Sequence, residues 1–127
     1  ISRWKVQPTS AVIAATNNGT AWDGDGSGPD VKITMQCPPS SAPVSTSTPE
    51  APDTWQPTWT TGGCITTAAA LLAEPWTFWV WDADLTTDDS ITGGLQLQIE
   101  ERHFTAGALN ASGAQGLESL VLQLQKQ

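Results

Sequence analysis

Trp76-Thr-Phe-Trp-Val-Trp81 alternates residue by residue, placing Trp76, Phe78 and Val80 on one face and Thr77, Trp79 and Trp81 on the other. Only an extended strand sorts side chains with a period of two, so this run constrains the fold more than any other feature. Leu95 to Ile99 and Leu120 to Leu124 alternate in the same way, and Val31 to Met35 and Trp4 to Val6 are shorter candidates. Ala11 to Ala15 is an apolar run suited to burial. The helix-like stretch Thr67 to Glu74 is stopped at once by Pro75, and reads as a strand or a loop turn. Short strands punctuated by Gly, Pro and Asp predict an all-β, antiparallel β-sandwich of about seven or eight strands. Val80, Phe78, Leu95, Leu97 and Ile99 are its expected core. At 127 residues the chain is read as a single domain, residues 1–127, with no internal repeat.

One segment breaks the rhythm. Pro38 to Pro57 is dense in Pro, Ser and Thr and is expected to be a long surface excursion, since proline cannot serve a central strand. Its ends lie near Cys37 and Cys64, the two cysteines of the chain. An even pair in a secreted-looking sequence reads as a disulfide stapling that loop; the alternative is two free buried thiols. Ser and Thr are abundant and Lys is scarce, which points to a secreted or cell-surface protein. The chain begins at Ile1 without an initiator Met, which reads as a processed or excised segment with any signal peptide removed. No apolar stretch is long enough to span a bilayer, Thr66 to Ala73 being the nearest. Asn18-Gly-Thr20 and Asn110-Ala-Ser112 match the glycosylation sequon, a signal of little weight in a Ser/Thr-rich chain.

The net charge of −8, with five Lys and Arg, argues against a nucleic-acid partner. The acid is concentrated. Asp23, Asp25 and Asp30 lie in Trp22-Asp-Gly-Asp-Gly-Ser-Gly-Pro-Asp-Val-Lys-Ile33, and Asp82, Asp84 and Asp89 follow the strand ending at Trp81, with Asp88 beside them. Hard oxygen donors in such number suit calcium, which takes six to eight of them. Asp23 to Gly28 resembles the first half of an EF-hand loop, but Thr34 stands where a bidentate Glu is needed and the flanks read as strand. For this loop alone, a calcium-style turn and an ordinary Asp/Gly turn capping its own amides are equal readings. If both clusters meet at one end of a sandwich, their repulsion is relieved by one or two divalent cations; the alternative is a solvated acidic rim.

Trp81-Asp-Ala-Asp-Leu-Thr-Thr-Asp-Asp-Ser-Ile91 resembles the third calcium loop of the C2 domain, the module of protein kinase C and synaptotagmin. That family carries an apolar strand ending in Asp-x-Asp, a polar tip, another Asp, then an apolar residue and Gly; here Asp82, Asp84, Asp89, Ile91 and, one residue late, Gly93 fill those places. Gly28-Pro-Asp-Val-Lys-Ile33 is similar to the family's Asp-Pro-Tyr-Val strand opening, so Asp30 fits its second aspartate and Asp23 or Asp25 its first. Pro57-Thr-Trp59 resembles the Pro-x-Trp of the middle strand. The second loop is one residue short, Pro-Tyr is missing, and the insertion with its cysteines is atypical of cytosolic members; divergent secreted bacterial versions look most similar. The resemblance implies a Ca2+ site formed by Asp23, Asp25, Asp30, Asp82, Asp84 and Asp89, with Asp88 facing solvent or substituting for Asp89.

Other chemistry is thin. His103 is the single histidine and reads as a surface residue, and Glu100 and Glu101 have no obvious acid/base partner at the end of their strand. The seven Trp read mostly as core, with Trp55 the best candidate for stacking on a sugar. These observations predict a secreted calcium-binding module for adhesion or interaction, without catalysis. The family's membrane docking is disfavoured, because Leu85 is the one apolar residue at the loop tips. The alternatives are a calcium-stabilised structural subunit of an extracellular filament or surface layer, pairing with other copies of itself, and a carbohydrate-binding module. Partners are thus calcium and either further copies, a cell-surface protein or a glycan.

Overall fold

The computed structural model describes residues 2–22, 26–83 and 88–127. Eight strands and two short helices are formed among them: β1 Arg3–Ile13, β2 Val31–Cys37, β3 Val44–Ser47, β4 Cys64–Thr67, α1 Ala68–Ala73, β5 Trp76–Asp82, β6 Asp89–Leu97, α2 Glu101–Ala106, β7 Ala108–Ser112 and β8 Leu117–Lys126. They make two four-stranded sheets, ordered β4-β1-β8-β7 and β3-β2-β5-β6, with every pairing antiparallel. The expected all-β sandwich is what the chain adopts.

Alternation decides which face each strand buries. Val31, Ile33, Met35 and Cys37 of β2 and Trp76, Phe78 and Val80 of β5 point inward and are buried. They meet Val6, Leu120, Leu122 and Leu124 of the other sheet in one apolar cluster. Trp76 and Phe78 stack there with ring centroids 4.7 Å apart. Of the expected core, Phe78, Val80 and Ile99 are buried, whereas Leu95 and Leu97 are half-exposed and pack on its margin. The cause is position: β6 is an edge strand, open to solvent on one side.

Cys37 and Cys64 form a disulfide with their Cα atoms 6.0 Å apart. It joins the end of β2 to the start of β4 and so ties the two sheets together. The Pro/Ser/Thr excursion between them carries the edge strand β3 and then returns along β1: Ala11 N–H donates to Pro57 O, Ile13 N–H to Trp55 O, and Trp59 N–H to Thr9 O. That return leg covers part of β1's edge that β4 is too short to pair. Trp59 is buried there, ahead of the strand that opens at Cys64.

Three further expectations need correction. The seven Trp are not mostly core: Trp22, Trp59 and Trp76 are buried, whereas Trp4, Trp79 and Trp81 are half-buried and Trp55 is exposed, because alternation turns Trp79 and Trp81 to the outer face of their sheet. Thr67 to Glu74 contains a true helical turn, α1, because the Thr67 hydroxyl accepts from Ala70 N–H as an N-cap and Leu71 is fully buried. Glu101 begins α2 instead of ending a strand, and the Glu100 N–H donates to His103 Nδ1 at 2.9 Å, which gives the histidine a local capping role.

Candidate metal centre

Strand register brings the two aspartate clusters to one end of one sheet. β2 begins directly after Asp30, Val31 pairs with Asp82 at the end of β5, and Asp82 pairs with Asp89 at the start of β6. Three neighbouring strand ends therefore each present an aspartate. Like charges directly opposite in an antiparallel pair destabilise it, so Asp82 facing Asp89 is a costly placement without a counterion.

Backbone contacts fix this corner. The Asp82 carboxylate is fully buried, and its Oδ1 accepts from Asp30 N–H at 2.9 Å. Ala83 N–H returns a bond to Asp30 O at 2.7 Å. Asp30 Oδ1 in turn accepts from Asp53 N–H at 2.8 Å, and Asp53 Oδ1 accepts from Gly28 N–H at 2.8 Å. A carboxylate oxygen that accepts from a backbone amide is held in a fixed direction. Such outer contacts are what hold metal-binding carboxylates in position.

Asp53 was not singled out from sequence. It lies in the Pro/Ser/Thr excursion, and only the folding back of that loop puts it beside Asp30. The local signal was its place after Pro52, in a turn where it adopts φ 50°. Gly28 is needed at the same contact, because a Cβ there would lie 2.8 Å from Thr54 N. Exposed Asp88 forms an ion pair with half-buried Lys32, Nζ to Oδ2 2.7 Å.

Asp23, Asp25 and Asp84 lie outside the described residues. Among the described residues no group of three or more His, Cys, Asp or Glu is close enough to hold a metal. Asp30, Asp82 and Asp89 are thus brought to a shared sheet end, without forming a complete ligand set by themselves. Their chemistry fits calcium: all donors are hard oxygens, and the buried Asp82 is anchored by backbone. Both sequon asparagines, Asn18 and Asn110, are exposed. No helix of the described residues is long and apolar enough to cross a membrane.

No protein-family model and no curated protein matches the chain. Among solved structures it is similar to human GIVD cytosolic phospholipase A2, in complex with methyl gamma-linolenyl fluorophosphonate inhibitor and terbium chloride. The TM-score is 0.59 at 16% identity, and the match covers 98% of this chain and 17% of that one. At that identity the likeness is one of fold, and the two four-stranded sheets are compatible with a C2-like sandwich.

Proposed function

We propose that this protein is a secreted, calcium-binding C2-like module that mediates adhesion or interaction and carries out no catalysis. The observation that carries the reading is the register that places Asp30, Asp82 and Asp89 on three adjacent strand ends. The connections leaving those ends hold Asp23, Asp25 and Asp84, in the order and spacing that resemble C2 calcium loops. Those six aspartates would hold the ion. Its positive charge offsets their repulsion and favours the folded arrangement over the unfolded chain. The likeness to a phospholipase solved with terbium supports the choice of assay, since lanthanides, like calcium, prefer oxygen donors. The disulfide fits maturation in an oxidising compartment.

Tryptophan-excited terbium luminescence tests the site directly. Terbium should bind saturably, calcium should displace it, and magnesium should displace it poorly because it demands a tighter octahedral shell. Asp89→Asn and Asp30→Asn should each weaken the signal. Luminescence that calcium does not displace, or that neither substitution lowers, would refute the assignment.

A further inference from the structure

The second chemical feature of the fold is the outer face of the β3-β2-β5-β6 sheet. We propose that this face binds a neutral pyranose oligosaccharide, with Trp79 as the stacking platform. Trp79 and Trp81 are successive outward residues of β5, half-buried and roughly 7 Å apart along the strand. Beside them runs a shallow groove lined by Thr34 and Gln36 of β2, Ser45 and Ser47 of β3, and Trp79 itself. Register puts Thr34 opposite both Ser47 and Trp79, so hydroxyls flank the indole in one cross-strand row.

Two contacts prepare this surface. Trp81 Nε1 donates to Thr34 Oγ1 at 2.9 Å, which holds one ring against the sheet before any ligand arrives. On the other flank of β5, the exposed Gly93 leaves the edge of Trp79 bordered by bare backbone; a Cβ there would stand 3.0 Å from Trp79 Cδ1. Aromatic rings serve as amphipathic contact surfaces, and the C–H face of a sugar ring complements an indole while its hydroxyls bond to Ser, Thr and Gln.

Charge selects the ligand class. The chain carries −8, yet none of the groove-lining residues is ionisable, and Lys32 at its margin is already paired with Asp88. Phosphate or sulfate would meet an acidic protein with no free cation in the groove, and a cationic ligand would meet no carboxylate there. A neutral polyol suits the groove. Trp55, at 38% exposure, donates Nε1 to Ala15 O in the loop that returns along β1, so it stands apart from this platform.

The test is binding to arrayed neutral, sulfated and sialylated glycans in chelator, with affinities from tryptophan fluorescence and molecular mass from ultracentrifugation. Neutral glycans should bind the monomer, Trp79→Ala should weaken binding on the order of tenfold or more, and Trp55→Ala should leave it intact. Gly93→Val keeps both rings but crowds the indole edge, and should weaken binding with an unchanged circular-dichroism spectrum. No neutral glycan bound, preference for acidic glycans, affinity insensitive to both Trp79→Ala and Gly93→Val, or a dimer that Trp79→Ala dissociates would each overturn the proposal. Because the assay runs in chelator, its outcome is independent of the calcium site.

Discussion

Reducing the Cys37–Cys64 bridge should lower stability by an amount that the loop length sets. The bridged residues are 27 apart in sequence. Releasing a loop of that size returns conformational entropy to the unfolded chain worth about 3.5 kcal/mol at 25 °C. With an unfolding entropy of about 2.1 cal/mol/K per residue, the 127-residue chain loses about 0.27 kcal/mol per degree near its midpoint, so the melting temperature should fall by about 13 °C. Oxidised and fully reduced wild-type protein have the same side chains, which leaves packing of the two buried cysteines nearly unchanged. Reduction must be equilibrated through unfolding, because both sulfurs are buried. Urea and thermal unfolding followed by circular dichroism give the comparison. The urea m-value should also rise, since an uncrosslinked unfolded chain exposes more surface. A fall of less than about 4 °C with an unchanged m-value would refute the entropic account.

Other consequences follow from single contacts. Trp76→Ala removes a fully buried ring from the core and should cost about 3–5 kcal/mol in urea unfolding. Gly28→Ala forces a Cβ against the Asp53–Thr54 backbone, so it should destabilise by about 1–3 kcal/mol and weaken calcium binding in the same preparation. Asp53→Ala removes the carboxylate that accepts from Gly28 N–H, and should lower calcium affinity with a smaller change in melting temperature than Gly28→Ala. The Arg102 guanidinium, hydrogen-bonded to the Glu100 carboxylate, holds its pKa below the ordinary glutamate value. NMR titration should show that pKa rising towards the ordinary value in Arg102→Ala.

Strands that bury one face were legible in the sequence because alternation is imposed by the pleat itself. β5 and β8 are the clearest cases, and the disulfide followed from the position of its cysteines around a proline-rich loop. β1 was harder. Pro8 splits it into two apparent pieces, and it stays a single strand because the register shifts between Pro8 and Ser10. β3, Val-Ser-Thr-Ser, is a short edge strand with little apolar content to betray it. The helices α1 and α2 have six residues each, too few for a helical period to show. Asp30, Asp82 and Asp89 were visible as candidate ligands, while Asp53 was not, because its place beside Asp30 depends on a loop returning from a distant part of the chain. Trp79 and Trp81 show the opposite difficulty: alternation sets them on the face opposite Trp76, Phe78 and Val80, but large aromatic rings on a strand read as core, and only the neighbouring strands reveal the polar groove around them.

Calorimetric titration with calcium, on the parent and on Asp82→Asn/Asp84→Asn, tests the central claim most directly. The parent should give a saturable isotherm, and at about 100 times its dissociation constant calcium should stabilise it by about 2.7 kcal/mol over the chelated protein. That corresponds to a rise of about 10 °C in melting temperature for a chain of this size. The double variant should give no such isotherm, and magnesium should not substitute in the parent. Absence of calcium uptake by the parent, or equal uptake by parent and double variant, would contradict the account.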